Sequence, residues 1–497
     1  MRRLLLGALS LTALGLCVFA TPACGSDGDD GSGGGTSGGT DDAGCVGFGC
    51  TAPPEGGVVD VCVNGLCPVR CDGGVMTTVT GTVLDPRGKV PIFNATVYIP
   101  TGPVADLTEG VNTCDRCDAQ VSGTPALIAQ TDTAGNFKLE NVPVGGSLPL
   151  VIQIGKWRRQ VEIPAAAPCA STTLDASLTR LPRNRTEGHI PRIALTTGAA
   201  DALQCLLRKV GIDDSEFGVA GSDARIHLYK GGGFAQGGSP KNPSSKFAGG
   251  ASFPDAQPFW SDVANLKKYD VVLLSCEGDE NLSTKPDAAK TALYDYAKTG
   301  GRIFASHYHY AWFSKSPDAT VKGVATWAPL DGSGFNERTP PAVPNGAPAT
   351  TPMPGDVSAA FPKAVAMKDW LGKQGAFDAN GKLPIYDARH NIDAVTANSL
   401  SWITVPKSTL EPTAPGSPVQ YMTFNTPIGA ADNAVCGRVV VSDIHVAAGT
   451  SPDDATGDFP TGCNNADLNG QQKALEFMLF DLSSCVQKDD AVIQGPR

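Results

Sequence analysis

Cysteine placement constrains this chain more than any other feature. The sequence carries 15 cysteines in 497 residues, and an export signal precedes nearly all of them. Arg2 and Arg3 give a positive start, residues 4–20 form an uncharged apolar run, and Thr21, Pro22 and Ala23 lead into Cys24. The run is slightly short for a membrane span and polar Gly/Asp sequence follows it, so it reads as a cleaved leader. A chain delivered outside the cytoplasm meets an oxidising compartment, where disulfides are the default state of cysteine. Cys17 and Cys24 sit in the export segment, and the remaining thirteen are an odd number. At least one thiol is therefore free or pairs between chains. The CxxC spacing of Cys114 and Cys117 also suits a metal, but a zinc site needs a second close pair, and Cys62 and Cys67 are spaced too widely for one.

Cleavage before Cys24 leaves a cysteine at the new N-terminus. Residues 21–24 resemble the lipobox of bacterial lipoproteins, in which this cysteine carries the acyl chains. Thr21 stands where the family prefers Leu. Cys17 is a poorer match, because bulky Leu16 precedes it. The resemblance implies lipid attachment at Cys24 and a cell-envelope location, on the outer membrane or facing the periplasm, with the membrane as a partner through the anchor. After the signal (1–23) comes a tether (24–44) of Gly, Ser, Asp and Thr, which has too little apolar surface to fold. Cys45, Cys50, Cys62, Cys67 and Cys71 follow in a Gly/Pro-rich stalk (45–75) that depends on disulfides.

Formal charge is −11, and loss of Arg2 and Arg3 takes it to −13. An acidic chain without a Lys/Arg cluster excludes nucleic acid as a partner. No later stretch is long and apolar enough to span a bilayer.

Residues 76–180 carry a β pattern. Thr77, Val79, Gly81 and Val83 alternate, 95–99 is strand-like, and turns at 85–88, 132–135 and 142–145 punctuate the segment. Short strands with regular turns predict a small β-sandwich. The stretches VTGTVLDPRGKVPIFNATVYIP and TDTAGNFKLENVPVGG resemble the carboxypeptidase regulatory-like domain, over about a fifth of the chain. That resemblance implies a non-catalytic spacer or adhesive module. An insert with Cys114 and Cys117 separates the two halves, which departs from the family.

Residues 181–189 read as a linker, and from Ile190 the period changes. Apolar strands at 192–196, 225–229, 269–275, 302–306 and 437–443 alternate with helices at 199–210 and from Pro286 to the Gly300-Gly301 stop, and a last helix carries Ala474, Leu475, Met478, Leu479 and Leu482. This predicts an α/β doubly wound domain over 190–487, flavodoxin- or amidotransferase-like, with a Pro/Gly-rich insertion at about 314–405 on the carboxyl edge of the sheet. YDVVLLSCEGDE, ALYDYAKTGGRIFASHYH and CGRVVVSDIHV resemble class I glutamine amidotransferase-like proteins, particularly the ThuA-like branch. In amidotransferases the nucleophilic Cys stands at the turn after the second of these strands. Here that turn reads Ala305-Ser306-His307, so glutaminase activity is not implied, while the His matches the ThuA-like branch.

Ligands of such sheets sit beyond the carboxyl ends of the strands. His307 and His309 are two apart on or just after a strand and are expected to point the same way, as are Asp443 and His445 at another strand end; Glu277 follows the strand between. His307, His309, Asp443 and His445 are thus candidate ligands for a divalent metal, and His307, His309 and His445 candidate catalytic groups. Equally, these polar groups can simply cap strand ends. Cys276, Glu277, Tyr308, Tyr310 and Trp312, with Phe313, form a candidate cleft whose aromatics suit stacking on a sugar or a packed lid. Cys276 is expected in a disulfide, with Cys205 or Cys436 as partner. Two functional classes follow: a non-catalytic surface module binding a glycan or a surface protein, with no cofactor, or a carbohydrate-active, metal-dependent hydrolase.

Overall fold

The structure, a computed structural model, describes residues 61–232, 243–339, 351–409, 411–446 and 457–496. The export signal, Cys24, the tether, Cys45 and Cys50 lie outside the described residues. The chain divides at Val59/Asp60, and all described residues belong to the second unit. No described helix is long and apolar enough to cross a membrane. The unit is rich in β-structure, with several sheets and a smaller set of helices.

Two small sheets come first. Asn136–Glu140, Thr78–Thr82 and Ser171–Thr173 form one; Pro125–Gln130, Thr96–Pro100, Leu148–Ile154 and Trp157–Ile163 form the other. Alternation decides their faces: Val79, Phe137 and Leu139 from one sheet meet Val97, Ile99, Leu150 and Ile152 from the other in a single apolar core. Tyr98 and Val151 point the other way and are covered by Val104 and Val121. Hence Thr96–Pro100 is buried along its whole length.

The large sheet has ten strands. In spatial order they are Leu383–Ile385, Met353–Val357, Leu400–Thr404, Val419–Thr426, Gly437–Ser442, Arg302–Ser306, Val271–Leu274, Ile193–Thr197, Ile226–Lys230 and Phe217–Gly218. From Gly437–Ser442 onward the pairing is parallel; before it, antiparallel. Both faces are covered. Ile193, Leu195, Val271, Leu273 and Phe304 face helices Leu203–Val210 and Gly470–Ser483, while Ala194, Val272, Leu274 and Ile303 face helix Asp287–Lys298. Burial on both sides is why these strands read as unbroken apolar runs. Residues 314–405 do more than sit beyond the strand ends. Three of their strands extend the sheet sideways through Val419–Thr426.

The small sheets and the large one share one apolar core. Trp157 packs edge-on against Phe480, Phe93 stacks on Phe477, and the Trp370 indole donates to the Pro91 carbonyl at 2.7 Å. Five disulfides tie the described chain: Cys62–Cys67, Cys71–Cys169, Cys114–Cys436, Cys117–Cys485 and Cys205–Cys463. Both cysteines of the CxxC are therefore cross-linked, which removes them as metal ligands.

Candidate functional site

Five neighbouring parallel strands deliver their following residues to one end of the sheet: Gly198 to Asp201, Gly231 and Gly232, Cys276 and Glu277, His307, and Asp443 to His445. The winding of the sheet reverses between Ile193–Thr197 and Val271–Leu274, and parallel sheets bind ligands at such reversals. Among the described residues that crevice is shut. The Ala200 amide donates to the Cys276 carbonyl at 2.9 Å, and a Cβ on Gly198 would collide with the same carbonyl.

Cys276, His307 and His445 meet behind this closure. Their exposures are 0%, 1% and 2%. Cys276 Sγ lies 3.4 Å from His307 Nδ1, and the two imidazoles cross at 88° with ring centres 5.0 Å apart. Cys276 is the free cysteine among the described residues, which corrects the expected disulfide: Cys205 and Cys436 have taken other partners. Burial pushes its thiol up to about 12, although the Tyr308 and Gly278 amides pull it down. Burial, with His445 and the Arg389 guanidinium nearby, holds His307 well below the imidazole range. The His307 backbone has φ +37°, in the left-handed region that side chains disfavour.

His309 does not join this group. After Ser306 the chain leaves the strand for a tight 3₁₀ turn, His307–Tyr310. On such a turn, residues two apart are separated by about two thirds of a rotation instead of sharing a face. His309 Nε2 donates to the Ser275 carbonyl at 2.9 Å, and the Trp312 indole donates to Nδ1 at 2.9 Å. The ring is therefore neutral, and burial lowers it to about 4. The aromatic run is a packed lid and not a sugar platform: Tyr310, Trp312 and Phe313 are buried, and only Tyr308 reaches partly to solvent.

Glu277 is likewise occupied. It accepts from Lys285 Nζ at 2.6 Å, the Asn281 side chain at 2.8 Å and the Gly232 amide at 2.9 Å. Burial opposes its ionisation, but the neighbouring His309 and Lys285 hold its carboxyl below the ordinary value. With His309 neutral, Lys285 is the cation that matters. Asp443 is pushed up to about 8 by burial, against the Asn391 amide 3.4 Å away.

Several contributors were missed in the sequence. Asp201 accepts from Ser306 Oγ and from the Val446 amide, clamping two strand ends; its place just after a parallel strand was a usable signal. Glu337, Arg389 and Asn391 come from the 314–405 segment. Tyr308 Oη donates to Glu337 at 2.9 Å, and Arg389 lies 3.9 Å from the same carboxylate. No periodicity or motif marks these three.

An open concavity lies elsewhere. A cleft of about 930 Å³ runs beside Ile226–Lys230, with Tyr229 and Phe259 on its wall and Arg192, Asp223, Asn265 and Lys268 around it. Tyr229 and Phe259 stack with centres 4.4 Å apart, and Tyr269 Oη lies 2.7 Å from Tyr229 Oη and 2.8 Å from His227 Nδ1.

Neither a protein-family model nor a curated protein matches the chain. Solved structures resemble it only faintly. A C-terminal interface mutant of a type II cohesin–X-dockerin complex from Acetivibrio cellulolyticus is 16% identical over 30% of this chain and 79% of that one, with a TM-score of 0.14. The N-terminal interface mutant of that complex gives 16%, 30%, 78% and 0.13. The major pilin subunit of Bacillus cereus is 13% identical over 22% of this chain and 30% of its own, with a TM-score of 0.13. Similarity at that level carries no argument about fold or function.

Proposed function

We propose that this is an exported lipoprotein, anchored through Cys24, that binds a glycan in the cell envelope without transforming it. Within this reading, residues 76–180 are a carboxypeptidase regulatory-like sandwich and residues 190–487 an amidotransferase-like, doubly wound unit of the ThuA-like kind. The parallel strand order and the helices on both faces support the second assignment.

The observation that carries binding over turnover is the sealed crevice at the point where the winding reverses. His307 stands where an amidotransferase has its nucleophile, and the one nearby thiol is buried and protonated. The hydrolase alternative needs His307, His309 and His445 on one centre, and His309 faces Ser275 and Trp312. The open cleft is ringed by charged and amide side chains, Arg192, Asp223, Asn265 and Lys268, which suit the hydroxyls of a saccharide.

Two measurements test this. Cells fed radioactive palmitate should label the wild type and not Cys24→Ala; equal label on both removes the anchor. Calorimetry against envelope oligosaccharides should show binding that Asn265→Ala and Lys268→Ala weaken about tenfold, roughly 1.4 kcal/mol. Binding untouched by both substitutions, or release of free sugar over time, defeats the reading.

A further inference from the structure

We infer that Cys276, His307 and His445 form a coordination site for a soft transition-metal ion, zinc or copper. One donor atom from each lies within 4.8 Å of the other two. Tetrahedral zinc, bound at about 2.3 Å to sulfur and about 2.1 Å to nitrogen, sets those two atoms about 3.6 Å apart; Cys276 Sγ and His307 Nδ1 are 3.4 Å apart. The Cys276–His307 pair is already at coordination distance, and His445 offers the third donor within the same 4.8 Å span.

Further features of the same spot point to a ligand. His307 is fully buried, and its imidazole is hydrogen-bonded by the Asn391 side chain. The Asn391 side chain faces that imidazole. This is the pairing by which an outer carbonyl orients a metal-bound histidine. His307 also holds its positive φ at the end of a strand bonded on both sides, a conformation that side chains disfavour. Asp443, two residues before His445, carries a buried oxygen without a hydrogen-bond partner.

A thiolate with two imidazoles selects zinc or copper over magnesium or calcium. Coordination replaces the thiol proton, which leaves to solvent, and no electron transfer is required. The ion would join the ends of Val271–Leu274, Arg302–Ser306 and Gly437–Ser442. The site is separate from the cleft, so glycan binding stands or falls on its own test.

The experiment uses the full chain, disulfides intact, stripped with EDTA and titrated with Co2+ or Cu2+ alone. One equivalent should bind with a thiolate-to-metal charge-transfer band, lost in Cys276→Ser and kept in His309→Gln. Metal content of protein taken from the envelope then distinguishes zinc from copper. X-ray absorption of zinc-loaded wild type should show one sulfur and two imidazoles, a result that needs no variant to fold. A wild type without the band, a band that survives Cys276→Ser, or an all-oxygen shell overturns the site.

Discussion

Glu277 and Lys285 are both fully buried and 2.6 Å apart. Lys285 Nζ also donates to the Glu280 carbonyl and lies 5.3 Å from the Trp260 ring centre. Breaking such a pair strands a charge. Glu277→Gln should therefore cost about 3 kcal/mol in urea unfolding, whereas replacing both partners with apolar residues of similar volume should cost far less. If Glu277→Gln unfolds like the wild type, the pair is not holding the loop. At this scale the sequence was partly legible. The residues after the parallel strands could be named because an apolar run ends at a definite residue. Which of them meet could not, because a two-residue spacing means one thing on a strand and another on a 3₁₀ turn, and His307 begins such a turn.

The parallel strands and their helices were readable because two-sided burial leaves apolar runs, and the last helix opens with a reciprocal cap between Asn469 and Gln472. Helix Leu203–Val210 begins four residues later than the expected 199, because Asp201 is spent on the strand ends. The edge strands of 314–405 were hidden. Met353–Val357 is buried only on alternate residues and carries a Pro and a Gly, so it has neither signature of a central strand. The insert between the halves of the first β region has an equally invisible role. It covers Tyr98 and Val151 and is held by Cys114–Cys436 and Cys117–Cys485. Replacing Cys117 and Cys485 together by Ser should lower stability by about 2–4 kcal/mol and expose the insert to proteases. Unchanged chemical unfolding would show that packing alone holds it.

Across the whole unit, the small sheets dock on the large one through a few demanding contacts. The hairpin tip at Gly155 has φ +53°, and a Cβ there would collide with the Ser483 carbonyl. Next to it Lys156 reaches Asp270 at 2.6 Å. In the shared core, burial raises Asp85 to about 6 despite amide hydrogen bonds from Lys89 and Val90. Burial also lifts Glu476 well above the carboxylate range, and the Asp85 carboxyl beside it adds to the rise. Folded values above the unfolded ones mean that this stability is complete in acid, below about pH 4, and is lost as pH rises through 6 and beyond. Glu476→Gln should thus be more stable to unfolding than wild type at pH 8, by about 1–3 kcal/mol, with the gap narrowing toward pH 4. A gap that does not change with pH would show that neither carboxyl titrates there. The sequence by itself determined the apolar runs, the turns and the residues that end each strand, because those follow from local period and chain chemistry. Only the tertiary structure decided that Cys276 stays free beside His307 and His445, that His309 turns away, and that the crevice is shut. Those outcomes depend on contacts between segments far apart in the chain, and no local pattern records such contacts.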